Sequence, residues 1–64
     1  MKKTDFNKYL KQNNCVLYRE GSNHEIWINK INGKQTSIPR HKELVNITCK
    51  VICKQLEIPL PTKF

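Results

Sequence analysis

The pair Asn32-Gly33 sits between two short segments rich in strand-forming residues, His24-Glu25-Ile26-Trp27-Ile28-Asn29 and Lys34-Gln35-Thr36-Ser37-Ile38. Asn-Gly in such a setting is the strongest short-range signal for a β-hairpin, because both residues tolerate the positive φ of a tight turn. A second closure, Gly21-Ser22-Asn23, separates the first segment from Cys15-Val16-Leu17-Tyr18-Arg19-Glu20, which also reads as a strand. Three strands joined in this way form an antiparallel meander, and Pro39 ends the third.

The flanks carry a different period. Thr4 is placed as an N-cap, and Phe6, Tyr9 and Leu10 follow at the i, i+3, i+4 spacing of a helix running to about Asn13. Asn13-Asn14 then offers a left-handed stop. From Leu44 the helical period returns: Leu44, Ile47, Val51, Ile52 and Leu56 cover a broad apolar arc, and Asn46, Lys50, Lys54 and Glu57 share the other side. Pro59 and Pro61 close that helix. The order predicts an α+β fold of the α-β-β-β-α type, a three-stranded antiparallel sheet with both helices on one face. Double-stranded-RNA-binding domains have the same kind of order.

At 64 residues the chain suits a single domain over 1–64, too small to enclose a deep substrate cavity. Twelve Lys and Arg against five Asp and Glu leave a net charge of +7, which points to a polyanionic partner. No apolar run is long enough to cross a bilayer, and the start Met1-Lys2-Lys3-Thr4-Asp5 has no apolar signal core, so a cytoplasmic protein away from membranes is expected. Cys15, Cys49 and Cys53, an odd number, fit free thiols in a reducing compartment. Cys49 and Cys53 would share a helix face and could form half of a zinc site, but two further ligands are not evident, and packing as small buried hydrophobes is the favoured reading.

Acid–base chemistry near neutral pH rests on His24 and His41, since the carboxylates are scattered and no Ser-His-Asp or paired-acid spacing occurs. Both histidines lie at strand boundaries, where exposure is expected. The turn Gly21-Ser22-Asn23 offers backbone amides and short polar side chains to a phosphate, with His24 directly after it. Such a site suits RNA cleavage by attack of a ribose 2′-hydroxyl on the adjacent phosphorus, with His24 moving a proton and no metal required. The plainer alternative is a glycine that closes a hairpin and a histidine at a strand end. Alternation puts His24 on one face with Ile26 and Ile28, and a bulge or fraying at the strand start is expected if that face is covered. Trp27 and Tyr18 are read as core or partner interface in preference to base-stacking platforms. Lys2, Lys3, Lys8, Lys11, Lys50 and Lys54 could form a phosphate-facing surface, and Arg40 and His41, directed by Ile38-Pro39, could lie beside the turn that carries His24.

Gly21-Ser22-Asn23-His24 after the first strand, Ile38-Pro39-Arg40-His41 after the third and the closing helix 47–56 together resemble the HicA toxins, the small mRNA interferases of HicAB toxin–antitoxin systems. The likeness in layout runs from the first helix through Leu56. It implies a double-stranded-RNA-binding-like fold, ribosome-independent cleavage of RNA and a catalytic histidine at His24; on the turn and proline placement given above, Gly21, Ser22, Asn23, Arg40 and His41 are the expected substrate contacts. It also implies a HicB-like antitoxin that covers the active site in a hetero-oligomeric complex and brings DNA contact only indirectly. Many HicA toxins place a histidine directly after the Gly-Ser pair, often followed by a second. Here Asn23 intervenes, so His24 is the single imidazole of this turn. A non-catalytic RNA-binding module and a purely structural basic subunit are the competing readings.

Overall fold

The computed structural model describes residues 1–62. Helix α1 (Lys3–Gln12) leads into strands β1 (Cys15–Glu20), β2 (His24–Asn29) and β3 (Gln35–Pro39), and helix α2 (Asn46–Leu56) follows. The strands form one antiparallel sheet in the order β1-β2-β3, with β2 central. This is the α-β-β-β-α arrangement expected from the sequence.

Register decides the faces. Cys15 stands opposite Asn29, Leu17 opposite Trp27, Trp27 opposite Thr36 and Glu25 opposite Ile38. Partners across a ladder share a face, so these residues form one side. Cys15, Trp27, Asn29, Thr36 and Ile38 on it are buried, and they meet Phe6 and Leu10 of α1 and Cys49, Ile52, Cys53 and Leu56 of α2 in a single core. The polar groups of this side are satisfied by the helices. The Asn29 amide donates to the Leu56 carbonyl at 2.9 Å, and the Thr36 hydroxyl bonds Gln55. The other side carries Val16, Ile26 and Ile28, half-buried, with Arg19, His24, Gln35 and Ser37 exposed; no helix packs on it. His24 therefore does share a face with Ile26 and Ile28, but that face is the open one. Neither a bulge nor fraying of β2 is needed to free it.

Several sequence-based placements shift. Thr4 lies inside α1, and Lys2 takes the N-cap position without a side-chain cap. The segment before α2 replaces that cap: the Lys3 amide donates to the Lys42 carbonyl at 2.8 Å, and the Met1 amine to the Leu44 carbonyl at 3.0 Å. Leu44 is buried but precedes α2, while Ile47 and Val51 point to solvent at 73% and 50% exposure. The buried stripe of α2 is instead Cys49, Ile52, Cys53 and Leu56, an i, i+3, i+4, i+7 set whose phase the two thiols fix. Burial pushes all three thiols up, Cys53 to about 11, where its neighbours Cys49 and Cys15 add to the effect. They pack as neutral hydrophobes. Trp27 belongs to the core, whereas Tyr18 is 58% exposed and does not. Glu57, with φ 58°, ends α2 in the left-handed region ahead of both prolines, and the Ile58 amide closes back onto the Cys53 carbonyl at 3.0 Å.

The hairpin between β2 and β3 is longer than a two-residue turn. Lys30–Gly33 form the loop, closed by the Asn29 amide donating to the Lys34 carbonyl at 2.8 Å, and Gly33 holds φ 74°. A Cβ at Gly33 would meet no atom within 4 Å, so only backbone strain opposes a side chain there. Gly33→Ala should therefore lower stability by about 1 kcal/mol. Chemical denaturation measures this, and an unchanged midpoint would mean that the loop relaxes out of the left-handed region.

Candidate active site

The β1–β2 turn is built by two residues, Ser22 and Asn23. The Gly21 amide donates to the His24 carbonyl at 2.8 Å, which makes Gly21 the cross-strand neighbour of His24 and uses up that amide. The amides of Ser22 and Asn23 make no backbone hydrogen bond among the described residues. Gly21 does not adopt a positive φ, and a Cβ there would make ordinary contact with the His24 carbonyl oxygen at 3.4 Å, so neither backbone strain nor crowding demands glycine at this position. On its other flank His24 pairs with Pro39, the last residue of β3. Pro39 sits inside the strand, not after it, and an edge strand accommodates the missing donor. His24 is thus exposed on the open face, with no side chain across from it on one flank and a rigid ring on the other.

A β-bulge reshapes β1 next to this position. Leu17 pairs with Trp27 and Arg19 pairs with Ile26, leaving Tyr18 as the extra residue. Strict alternation from Cys15 would turn Arg19 toward the helices and Glu20 to the open side. The bulge exchanges them: Arg19 joins Ile26 and His24 on the open face, and Glu20, opposite Glu25, joins the covered one.

That exchange settles where Arg40 goes. Its Nη2 donates to Glu20 Oε1 at 3.1 Å, so Arg40 lies at the turn end of the sheet, on the side of the helices and away from the face that carries His24. His41 is exposed and lines a groove with Lys2, Lys3, Thr4, Arg40 and Lys42 at the start of α1. The sequence-predicted residues thus fall into two groups. Gly21, Ser22, Asn23 and His24 lie together at the turn, and Arg40 and His41 lie on the rim toward α1.

Beneath the turn, the covered end of the sheet holds an ionic cluster that sequence reading missed. Lys3 Nζ donates to Glu25 Oε1 at 2.6 Å and to Asn7 Oδ1 at 2.9 Å, and it lies 6.0 Å from the centre of the Trp27 ring. Trp27 Nε1 donates to the same carboxylate oxygen at 2.9 Å. Lys3 is therefore a structural residue and drops out of the expected phosphate-facing set. Burial alone would raise the Glu25 carboxyl, but the hydrogen bonds from Lys3 and Trp27 and the charges of Lys3 and Arg40 outweigh it and hold Glu25 below the ordinary value. Lys3 stands among polar residues, and its local sequence gives no hint of this role.

Ion pairs occupy Glu20, Glu25, Glu43 and Glu57. Among the described residues, Lys2, Lys8, Lys11, Arg19, Lys30, Lys42, Lys50 and Lys54 make no ion pair, so the surface is strongly cationic. Arg19 is the single Lys or Arg in the strands on the open face. No three His, Cys, Asp or Glu side chains among the described residues come together as metal ligands, and no helix among them is long and apolar enough to cross a membrane.

The site these elements build is an exposed histidine at a tight turn, on the uncovered face of a small cationic α-β-β-β-α sheet. The family model described as HicA toxin of bacterial toxin-antitoxin matches residues 4–58, from α1 to just past α2. The chain belongs to the HicA toxin family. No curated protein and no solved structure matches it.

Proposed function

We propose that this HicA-family toxin is a metal-independent endoribonuclease that cleaves mRNA, with His24 as its general base or acid. The observation that carries the reading is the placement of His24, exposed on the open sheet face beside the side-chain-free Gly21. The neutral imidazole takes the proton of a ribose 2′-hydroxyl as its oxygen bonds to the adjacent phosphorus. The bond from phosphorus to the 5′ oxygen breaks on the opposite side of the phosphorus, the departing oxygen takes a proton from water, and the imidazolium loses its proton to solvent. The products are a 2′,3′-cyclic phosphate and a 5′-hydroxyl. The amides of Ser22 and Asn23 are the donors available to the phosphate at the turn. Arg40 and His41 contact the flanking RNA from the rim.

The rest of the reading follows from the toxin family. A HicB-like antitoxin binds the toxin in the cytoplasm as a hetero-oligomeric complex, covers the face that carries His24, and supplies any contact with DNA. Domain 1–64 acts as one unit.

The test uses purified protein in EDTA with a long RNA and with the same sequence as single-stranded DNA. RNA should be cut to fragments ending in 2′,3′-cyclic phosphate, and DNA, which lacks the nucleophile, should stay intact. RNA that is bound but never cut would establish the non-catalytic RNA-binding module instead. Cleavage that requires an added divalent ion would overturn the metal-independent chemistry.

A further inference from the structure

We propose that Arg19 is the cation that holds the scissile phosphate beside His24; this rests on the ribonuclease reading above. Three observations on the fold point to it. The bulge at Tyr18 turns Arg19 onto the open face, where alternation alone would bury it under the helices. Bulges commonly re-aim a side chain next to a working site. Arg19 then stands opposite Ile26, which makes it the diagonal cross-strand neighbour of His24, with Ser37 on the opposite diagonal. Such diagonals are separated by roughly 7–8 Å, a span that long side chains bridge.

Charge separates Arg19 from its rivals. It is exposed and makes no ion pair, so its guanidinium is available to a ligand. Arg40, the residue that sequence order favours for this task, is held by Glu20 on the other side of the sheet. The same bulge that brings Arg19 to the face of His24 sends Glu20 to Arg40, so one extra residue both delivers the free cation and takes the Glu20 carboxylate off that face. A guanidinium is suited to the task, because its planar fork can bond two phosphate oxygens at once. Negative charge grows on those oxygens as the 2′ oxygen adds to phosphorus, and a fixed cation there stabilises the transition state more than the ground state.

The experiment compares wild type, Arg19→Ala, Arg19→Lys and Lys30→Ala, with His24→Ala as the reference for lost chemistry, on one RNA substrate in EDTA. Circular dichroism checks folding. Arg19→Ala should lose about 10²- to 10³-fold in kcat with a much smaller change in KM, as for removal of one oxyanion donor. Arg19→Lys should recover part of the loss. Lys30→Ala, equal in charge change but in the far hairpin loop, should leave kcat within about twofold. Sulfur replacing one non-bridging oxygen should slow wild type strongly at one of the two positions, and Arg19→Ala should lose that discrimination. A merely structural role would not produce that loss. If wild type cleaves and His24→Ala does not, while Arg19→Ala cleaves within about threefold of wild type, Arg19 is not the phosphate cation and the ribonuclease reading stands. Failure of wild type to cleave any RNA overturns both. Should Arg19→Ala not fold, Arg19→Lys decides: full activity with full sulfur discrimination sinks the two-oxygen contact.

Discussion

Replacing His24 with alanine should slow RNA cleavage by about 10²- to 10⁴-fold, the usual contribution of a positioned general acid–base group, and should leave the fold intact. Both halves follow from one geometry. The imidazole is exposed on a face that no helix covers, and the backbone bond with Gly21 uses the His24 carbonyl, not its side chain. Exposed substitutions of this kind change stability by about 0.5 kcal/mol or less. Expression of His24→Ala should therefore no longer arrest growth, and the protein should still be captured by its antitoxin. Rates on a defined RNA, with thermal melts of both proteins, make the measurement. Cleavage by His24→Ala within tenfold of wild type would remove the histidine from the mechanism, whatever the effect on growth. His41→Ala is an informative companion: from its place on the rim, His41 should affect KM more than kcat.

The turns made much of this fold legible. Gly21-Ser22-Asn23 and Asn32-Gly33 punctuate the chain strongly enough that β1 and β2 fall on Cys15–Glu20 and His24–Asn29, the segments read from sequence. The phase of α2 was harder, because Ile47 and Val51 look more apolar than Cys49 and Cys53, yet the smaller thiols are the ones that fit against the sheet. Which face of β2 is buried was not legible at all. His24, Ile26 and Ile28 form a plausible apolar face by alternation, and they lose to Glu25, Trp27 and Asn29 only because α1 supplies Lys3 to Glu25 and α2 supplies the Leu56 carbonyl to Asn29. Partners from distant elements leave no mark in a local pattern. The bulge at Tyr18 is hidden for a related reason, since no glycine or proline marks it. Its consequence is large: Pro39 correctly brings Arg40 to the turn end of the sheet, but the bulge decides that Glu20 meets it there and that Arg19, not Arg40, shares a face with His24.

The largest stability effect should come from the Lys3–Glu25 pair, because Glu25→Gln would strand a cation that has left water. Lys3 and Glu25 keep only 11% and 15% of their side-chain surface exposed, and their 2.6 Å bond is reinforced by the Trp27 indole on the same carboxylate oxygen. Removing one partner of a buried pair costs about 3–5 kcal/mol, and the low end suits a pair that retains some solvent. A core of this size rarely supplies more than about 3–5 kcal/mol in total. Glu25→Gln should therefore populate the unfolded state heavily at room temperature and neutral pH. Acid acts on the same group. The folded carboxyl titrates below its ordinary value of 4.5, so its contribution is fully present above that pH and is lost as pH falls through the lower, folded value. Wild type should thus lose stability on acidification below about pH 4.5, and whatever stability Glu25→Gln retains should fall less steeply over that range. Denaturation at a series of pH values reads both effects. The double substitution Lys3→Met with Glu25→Gln removes the charge along with its partner, so it should recover much of the loss at neutral pH. If Glu25→Gln alone were as stable as wild type, the pair would contribute nothing net, and α1 would be held in place chiefly by the packing of Phe6, Tyr9 and Leu10.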